Sequence, residues 1–394
     1  MTSVHLAKQI ISNSIPPLVS QSKPLADSLG MVLAAPLFSP VDMPPFNQSA
    51  MDGYALQFAD AGSPLQVMGE VQAGIVPEGP MKKGTAVRIF TGAAVPEGAD
   101  TVVMQEKVRR ENNILYLEDP DLKSGANVRP RASQTSKGDL VLQAGTLINP
   151  AVIGLLAGLG ITTVDVWTKP RVGLIITGKE LAKPGTSLQP GQVFESNSFT
   201  LIAALQELGI QPEWVFRCDD DEPEIIRCLQ TVLESCDVAL CTGGISVGDY
   251  DLVKKALDYC GVETGFYKVK QKPGKPLFYG KKDQKRVFAL PGNPGSVLTC
   301  YYEYVEPLLH QMMGRKDLFP RTTQKMLSET VTKKAGLTHF LKGKIDGQQV
   351  FPLHAQESYK MNGFALADCL IVLEEDATIV DKGQSVEVHL VNPI

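Results

Sequence analysis

Cysteine and histidine, the residues that most often hold a transition metal, are scarce in this sequence. The 394 residues include seven cysteines and five histidines. The cysteines are scattered, mostly within apolar segments, and never form a C-x-x-C pair. This pattern argues against zinc and dithiol chemistry and indicates buried free thiols in a reducing compartment.

Long apolar runs and a large excess of charge are also absent. No stretch approaches the roughly 20 apolar residues of a membrane span, and the amino terminus lacks the basic start and apolar core of a signal peptide. A net charge of −5, with 43% hydrophobic and 21% charged residues, describes a globular protein without the basic footprint of a nucleic-acid binder. We therefore expect a cytoplasmic protein with neither membrane nor nucleic acid as partner.

The sequence does contain two glycine-rich loops, each of which follows a short apolar run and precedes a helical pattern. They are Cys241-Thr-Gly-Gly-Ile-Ser-Val-Gly-Asp-Tyr-Asp251 and Leu290-Pro-Gly-Asn-Pro-Gly-Ser296. Their backbone N–H groups and helix starts would face one crevice, which suits an anionic, phosphorylated ligand. The candidate ligand-binding residues in these loops are Gly243, Gly244, Ser246, Gly248, Pro291, Gly292, Asn293 and Pro294.

The length and the changes of pattern along the chain predict several domains. Residues 39–138 alternate short apolar runs with glycine and proline, which is typical of a β-rich module. The flanking segments 1–38 and 139–169 show helical spacing, so we expect a helical domain that carries the β module as an insert; residues 1–19 can alternatively pack on the next domain. Residues 317–394 return to short alternating strands and predict a small β-barrel or sandwich.

Between residues 170 and 316, strand and helix patterns alternate. Strands are predicted at 171–176, 213–217, 237–241 and 287–290, helices at 199–208, 222–234 and 252–259, and a hairpin-like stretch at 266–278. Gly209 is predicted to end the first helix, and Asn293 with Pro294 to begin another after the last strand. Repeated β-α-β units predict a three-layer α/β domain around a mostly parallel sheet.

A basic segment lies within the hairpin-like stretch. In Lys268-Val-Lys-Gln-Lys-Pro-Gly-Lys275, four lysines occupy eight positions. On an extended chain Lys268, Lys270 and Lys272 would share one face, and the Pro-Gly turn would bring Lys275 near them. Such a group favours phosphate or oxyanion binding, and a solvated basic edge is the alternative.

Acidic residues follow three of the predicted strands, at the carboxyl end of the sheet where α/β proteins bind ligands. They are Glu180, the run 219–221, and Asp249 with Asp251. Carboxylates that face ligand phosphates suit Mg²⁺, and Glu180, Asp220 and Asp251 are the candidate metal ligands. The alternative for Asp251 is that it only caps the helix that follows it.

Two further patterns have competing interpretations. Gly244-Ile-Ser-Val-Gly248 matches the G-x-S-x-G elbow of α/β-hydrolases, but no HGGG-type oxyanion sequence accompanies it. We therefore favour a loop hydroxyl that serves a ligand, or a simple turn, for Ser246. In the β module, Asp52 precedes Gly53, and this pair taken alone predicts a turn.

Six short strings, taken together, resemble the motifs of a known family in their order. They are Ser49-Ala-Met-Asp-Gly-Tyr54, Thr91-Gly-Ala-Ala-Val-Pro-Glu-Gly98, Thr177-Gly-Lys-Glu180, Thr242-Gly-Gly-Ile-Ser-Val-Gly248, Lys272-Pro-Gly-Lys-Pro276 and Leu290-Pro-Gly-Asn-Pro294. The family is that of the molybdopterin molybdenumtransferases, or MoeA family, which includes the E domain of gephyrin. The resemblance covers nearly the whole chain.

This resemblance implies a homodimer whose protomer has a helical domain, an inserted β domain, a molybdopterin-binding α/β domain and a C-terminal β-barrel. The implied reaction inserts molybdate into adenylylated molybdopterin and releases AMP in a Mg²⁺-dependent step. The insert that carries Asp52 and Thr91 would complete the crevice of the other subunit. The family's functional positions fall on Asp52, Thr91, Glu180, Asp220, Asp251, Lys268, Lys272, Pro291, Pro294 and Ser358. The molybdopterin adenylyltransferase and molybdoenzyme-specific chaperones are the implied candidate partners.

Three positions depart from the family pattern. Gln134 stands where many members carry a carboxylate, and Lys179 where they carry Asp. Lys342 replaces an arginine and would lose bidentate anion geometry. These changes support an alternative in which the chain is a non-catalytic molybdopterin-binding or scaffolding paralogue of the same fold.

Overall fold

A computed structural model describes residues 1–15, 19–77, 79–245 and 251–391 of the chain. Within these ranges no helix is long and apolar enough to cross a membrane. All seven cysteines are free and buried, as the sequence predicted.

A mixed sheet of six strands forms the centre of the α/β domain. In chain order the strands are Val172–Thr177, Trp214–Cys218, Val238–Thr242, Glu263–Tyr267, Phe278–Lys282 and Lys285–Leu290. They lie side by side in the order second, first, third, sixth, fifth, fourth. The first, second, third and sixth strands are parallel, whereas the fourth and fifth pair antiparallel. The prediction of a mostly parallel sheet with one hairpin-like excursion is confirmed.

Helices cover both faces of this sheet. Leu201 and Leu205 of Asn197–Glu207 pack into the core on one face, together with residues of the C-terminal half of the domain. The other face is covered by Glu222–Ser235 and Leu252–Tyr259. The remaining helices of this region are Pro294–Cys300 and Glu306–Met312, joined by a π-helical turn at Tyr301–Val305. The arrangement is the predicted three-layer one.

Residues 39–138 form a curled β module, as expected from their alternating pattern. Its six-stranded sheet consists of Gly53–Leu56, Leu65–Val71, Thr85–Ile89, Thr101–Met104, Val108–Glu111 and Ile114–Leu117. Their spatial order is fourth, first, third, second, sixth, fifth. Short antiparallel pairs, Gln48–Ser49 with Val128–Arg129 and Leu37–Phe38 with Leu140–Leu142, lie beside it. Separate apolar clusters form around buried Leu56 and buried Ala55.

The segments that connect this module to the rest of the chain do not form the predicted helical domain. Strand Ser20–Pro24 pairs antiparallel with Thr163–Trp167, and only one helix, Pro150–Gly158, lies between the insert and the second strand. In the segment 1–38, where helical spacing predicted helix, the residues from Leu25 onward form only a single 3₁₀ turn, Leu25–Asp27. Leu25 from this turn and Leu33 from an isolated β-bridge lie in one apolar cluster with Leu156. Pairing with a distant segment overrode the local pattern.

The first helix, Val4–Ser12, belongs to the α/β domain rather than to these connecting segments. Ala7 and Ile11 are buried in the core of that domain, and Ser3 caps the helix through the N–H of Leu6. Lys8 reaches the buried carboxylate of Glu303 at 2.5 Å. The start of the chain is therefore tied to the helices that follow the central sheet.

The C-terminal region closes into a five-stranded β-barrel. Its strands are Thr322–Leu327, Thr338–Asp346, Gln349–Pro352, Cys369–Leu373 and Ser385–Leu390. The barrel closes because the second strand pairs with both the third and the fourth. Gln271–Lys272 of the α/β domain adds to the same strand in parallel, so the two domains share a sheet edge. Smaller elements are Val331–Thr332 with Ile379–Val380, Leu181–Ala182 with Val193–Phe194, and the helix Asn362–Leu366.

Candidate functional site

A cavity of about 670 Å³ opens at the carboxyl ends of the parallel strands. The first strand of the central sheet lies between the second and the third, so the connections after the first and third strands leave in opposite directions. In open α/β sheets this switch point is where ligands bind. Thr177 to Leu181, Asp219, Asp220 and Gly243 to Ile245 line the cavity.

Two glycines give this cavity its floor. Gly243 and Gly244 have φ angles of +80° and +60°, in the left-handed region that side chains disfavour. A Cβ on Gly243 would lie 2.2 Å from the carbonyl oxygen of Thr177, and a Cβ on Gly244 would lie 2.6 Å from Val253. The predicted glycine-rich loop therefore reflects both backbone conformation and close packing. Ser246 and Gly248, its other candidate residues, lie outside the described residues.

Two of the three predicted metal ligands share this cavity. Glu180 and Asp220 both line it, and the backbone N–H of Lys179 points to Asp220 at 3.5 Å. Within the described part of the chain, no three Asp, Glu, His or Cys side chains converge as a metal cluster. Mg²⁺ commonly keeps several waters and takes only one or two carboxylates besides substrate phosphates. The donor set therefore fits a Mg²⁺ ion that is shared with a phosphate.

Asp251, the third predicted ligand, has a defined structural role. Its carboxylate accepts a hydrogen bond from the N–H of Lys254 at 3.1 Å, which caps helix Leu252–Tyr259. It also accepts a hydrogen bond from the hydroxyl of Tyr267. Burial of that phenol and this hydrogen bond raise the pKa of Tyr267. Capping, one of the two interpretations of Asp251, is thus observed, while its role as a metal ligand stays a prediction.

A second cavity, of about 1150 Å³, adjoins the first and lies between the α/β domain and the barrel. Glu180, Asn197 and Gly292 line both cavities. Among the predicted substrate-binding residues, the larger cavity gathers Lys272, Lys275, Pro291, Gly292, Asn293, Pro294 and Ser358. The structure therefore brings together loops from two domains that are far apart in the sequence.

The Pro291–Ser296 loop is fastened to the barrel through Ser358. The amide of Asn293 donates to the hydroxyl of Ser358 at 2.9 Å, and the N–H of Gly295 donates to its carbonyl at 2.8 Å. A Cβ on Gly295 would lie 2.7 Å from that carbonyl oxygen. Asn293 occupies the predicted N-cap position with Pro294 after it, but its side chain bonds to the barrel instead of capping the helix.

The lysine segment does not follow the extended chain that the sequence suggested. Lys268 has a φ of +67°, so the strand stops at Tyr267 and the alternation of side chains is broken. The ammonium of Lys268 lies over the ring of Tyr267, and Lys270 pairs with Glu375 at 2.6 Å. Only Lys272 and Lys275 of the four lysines line the cavity.

Lys342 serves the loop that carries Ser358. Its ammonium donates to the carbonyl oxygens of Glu357 and Lys360 at 3.2 and 3.1 Å, and the residue is 2% exposed. Burial lowers the pKa of Lys342. Lys342, which the family pattern led us to interpret as a weakened anion contact, therefore stabilises the loop that carries Ser358.

Asp52 and Thr91 meet on an exposed corner of the β module. One oxygen of the Asp52 carboxylate accepts the N–H of Thr91 at 2.7 Å and its hydroxyl at 2.8 Å, and these bonds lower the pKa of Asp52. Gly53 begins a strand, and a Cβ there would lie 1.9 Å from the carbonyl oxygen of Val103. The prediction of a simple Asp-Gly turn is therefore wrong, because close strand contact requires this glycine.

Within one chain, this corner and the two cavities are separate. Among the described residues that line the cavities, none comes from segment 39–138. Gln134 is exposed in that segment, and its N–H bonds to the carbonyl of Met43 at 2.9 Å. Lys179, the other departure from the family pattern, lines the smaller cavity.

Several residues of the site carry no signal in the sequence. The side-chain amide of Asn197 donates to the carbonyl of Gly292 at 2.9 Å, and its amide oxygen Oδ1 is buried without a partner among the described residues. His339 lines the larger cavity because its strand pairs with Lys272. Val193 and Phe194 form an apolar wall. A hydrophobic or polar pattern does not reveal such neighbours, because they come from separate segments.

Comparison with known proteins agrees with this architecture. Family models match in succession: the MoeA N-terminal region (domain I and II) at residues 2–160, the probable molybdopterin binding domain at 173–311, and the MoeA C-terminal region (domain IV) at 326–391. The crystal structure of the molybdopterin biosynthesis MoeA protein from Pyrococcus horikoshii OT3 superposes with a TM-score of 0.85 at 28% identity, over 99% of this chain and 100% of that one. The fold is thus that of a MoeA protein, whose central α/β domain matches the probable molybdopterin binding domain.

Sequence similarity makes the assignment more specific. The chain is 32% identical to a molybdopterin molybdenumtransferase of Haemophilus influenzae over 403 residues, which covers 100% of this chain and 99% of that protein. It is 37% identical to one from Nostoc sp. over 329 residues, or 80% of this chain and 75% of that protein. The chain therefore belongs to the molybdopterin molybdenumtransferase (MoeA) family, whose enzymes act in molybdenum cofactor biosynthesis. The resemblance inferred from the six motifs is confirmed.

Proposed function

We propose that this chain inserts molybdate into adenylylated molybdopterin and releases AMP. The observation that carries the proposal is the meeting of Lys272, Lys275 and Ser358 in one cavity beside the switch-point crevice. Molybdate is a tetrahedral dianion, and phosphates are the other charged part of such a substrate. Ammonium groups, hydroxyls and loop N–H groups bind such oxyanions well.

The smaller cavity suits the phosphates of the substrate, and the larger cavity suits molybdate and the rings of the substrate. The glycine loop at Gly243 lets backbone approach the phosphates closely, and the strand end at Thr177 lies against it. Lys272 and Lys275 would hold molybdate and stabilise the negative charge on the departing AMP. The apolar wall at Val193 and Phe194 suits the flat rings of the substrate.

Glu180 and Asp220 would hold Mg²⁺ together with a substrate phosphate. When bound, the ion would neutralise charge on the phosphate oxygens as the bond to AMP breaks. The chain's own contribution is to position the carboxylates at one edge of the sheet, since both follow parallel strands. Asp251 stays a candidate ligand through its position at the start of the neighbouring helix.

The exposed Asp52 corner fits a site that is completed by two chains. Asp52 and Thr91 are solvent-facing within one protomer and do not line its cavities. In a homodimer the insert of one subunit would reach the crevice of the other. The departures at Gln134 and Lys179 would then change charges near the site without removing Lys272 or Lys275.

Reconstitution tests the reaction directly. Purified protein with adenylylated molybdopterin, molybdate and Mg²⁺ should yield active cofactor and AMP in equal amounts. Glu180→Gln, which removes one carboxylate of the crevice, should reduce turnover. Binding of the substrate without release of AMP would overturn the insertase proposal and favour the scaffolding alternative.

Complementation tests the two-chain site. Asp52→Ala and Lys272→Ala variants should each be poorly active alone. After subunit exchange, a mixed dimer should contain one site with both residues intact and recover part of the activity. No recovery despite exchange demonstrated with labelled subunits would mean that the site forms within one chain.

A further inference from the structure

His339 lies on the wall of the larger cavity and does not match any motif of the sequence. It belongs to the barrel strand Thr338–Asp346 and is partly exposed. No other described side chain forms a hydrogen bond with its imidazole. Both ring nitrogens are therefore available to a ligand in the cavity.

The shared sheet edge places His339 beside Lys272. The strands run parallel, and Lys272 is the register partner of His339. Register partners on adjacent strands lie about 5 Å apart, and their side chains point to the same face of the sheet. The imidazole and the ammonium group thus face the same cavity from two domains.

The charges around His339 are mostly positive. Lys272 lies on one neighbouring strand, and Lys333 packs near the other, where it donates to the carbonyls of Leu337 and Glu375 at 2.9 and 3.1 Å. Neither lysine forms an ion pair within the described part of the chain. Across the cavity Lys275 also lines the wall.

Carboxylates also lie nearby: Asp376, Glu374 and Glu375 act on the charge of Lys333, and Glu180 lines the same cavity. Glu375 pairs with Lys270 at 2.6 Å, and Glu357 pairs with Lys360 at 2.8 Å. Burial, with the charges of Lys333 and Lys272, lowers the pKa of His339 to about 4. The imidazole is therefore neutral at physiological pH while the cavity holds only protein groups. Lys272 and Lys275, which line the cavity, form no ion pair within the described residues, so a bound anion would be their counter-ion.

We propose that His339 is a proton-coupled ligand for the tetrahedral dianion that binds beside Lys272. An anion that offsets the lysine charges favours the imidazolium form, which then donates a charge-assisted hydrogen bond to an anion oxygen. One proton is taken up from solvent on binding and released when the anion leaves. This inference rests on the proposed function, and it specifies how oxyanion affinity depends on pH.

Calorimetric titration of the full chain tests the inference, with molybdate alone and AMP alone as probes. When the pH falls from 8 to 6, the affinity of the parent protein for its anion should rise about three- to tenfold more than the affinity of His339→Gln for the same ligand. This comparison cancels the titration of the ligand itself. Buffers of different ionisation enthalpy should show proton uptake by the parent and not by the variant. Whichever ligand shows the effect identifies the anion, molybdate or phosphate monoester.

Two further variants keep the result interpretable. His354→Gln removes an exposed histidine of the same domain that does not line the cavity, and it should respond to pH as the parent does. His339→Lys carries a permanent charge and should lose the pH response. If the parent binds an anion and responds to pH like His339→Gln, the role of His339 is overturned while the proposed function stands. If the parent binds neither probe, both are overturned.

Discussion

The glycine loop at Gly243 and the acidic corner at Asp52 are both short loops at strand ends, but they are built differently. Gly243 is enclosed: the carbonyl of Thr177 occupies the space where a side chain would start. Asp52 faces solvent, and two hydrogen bonds from Thr91 hold its carboxylate. The first loop is held by packing, whereas the second depends on polar contacts that water can replace.

Because of this difference, we expect substitutions in the two loops to affect stability and activity differently. Substitution in the enclosed crevice forces backbone to move, so we expect it to disturb both folding and binding. Substitution at the exposed corner leaves the core intact, so any loss of activity there would come from chemistry or from contact with another chain. The predictions below test this distinction, from the largest expected effect to the smallest.

Gly243→Ala should destabilise the protein by ~3 kcal/mol or more, because the new Cβ would overlap the carbonyl oxygen of Thr177. Gly185→Ala is a matched control: its φ is also left-handed, at +91°, but no atom lies within 4 Å of the new Cβ. The control should cost only ~1–2 kcal/mol of backbone strain. Urea unfolding measures both, and equal shifts would show that the crevice is not sterically fixed.

Asp52→Ala should lower insertion activity about a hundredfold, an effect typical of losing a positioned polar group in a site. Its unfolding free energy should stay close to that of the parent, since the corner is exposed. Asp100→Ala is the control, because Asp100 of the same module also accepts a backbone N–H, from Phe58, and a hydroxyl, from Thr101. Similar activity losses in both variants would assign Asp52 a structural role only.

His389→Gln should weaken the packing of the barrel against the α/β domain, where the barrel forms one wall of the larger cavity. Burial opposes the charged form of His389, but its hydrogen bond to Glu303 at 2.7 Å outweighs this and raises the pKa of His389. A raised histidine pKa stabilises the fold below the unfolded value of 6.5, and this stability is lost as pH rises through the folded value.

The variant should therefore be less stable than the parent by about 1–3 kcal/mol at pH 6, with a smaller difference at pH 8. Thermal unfolding of both proteins across this range measures the difference. A constant difference would show that folding does not change the pKa of His389. That result would leave Lys8 as the cation that compensates Glu303.

Lys272→Ala should weaken molybdate binding about tenfold with little change in stability, because Lys272 faces the cavity. Lys270→Ala is the matched control two residues away, since Lys270 pairs with Glu375 of the barrel instead. It should leave the affinity for molybdate unchanged and lower the stability only slightly, since an exposed ion pair contributes little. Equal affinity losses would mean that the segment acts through general positive charge.

The connecting segments show where prediction from sequence failed. Leu25, Leu29 and Leu33 have helical spacing, yet the neighbouring Ser20–Pro24 pairs with a strand more than a hundred residues away. The helix Leu252–Tyr259, by contrast, was predicted with its observed limits. Its apolar residues Val253, Ala256 and Leu257 pack within the same domain, in one cluster with the central sheet and helix Glu222–Ser235. Local patterns succeed where the partner surface is also local.

The sequence by itself determined the parallel α/β core, the glycine loops at its carboxyl edge and the family, because each depends on short motifs and regular spacing. Only the tertiary structure decided how the lysines divide, since Lys268 leaves the strand while Lys270 and Lys272 face different partners. Likewise, Lys342 lies beneath the Ser358 loop and His339 beside Lys272 because the barrel docks on the α/β domain. Pairing between distant segments leaves no periodic signal in either one, so only the folded chain shows which side chains share the cavity.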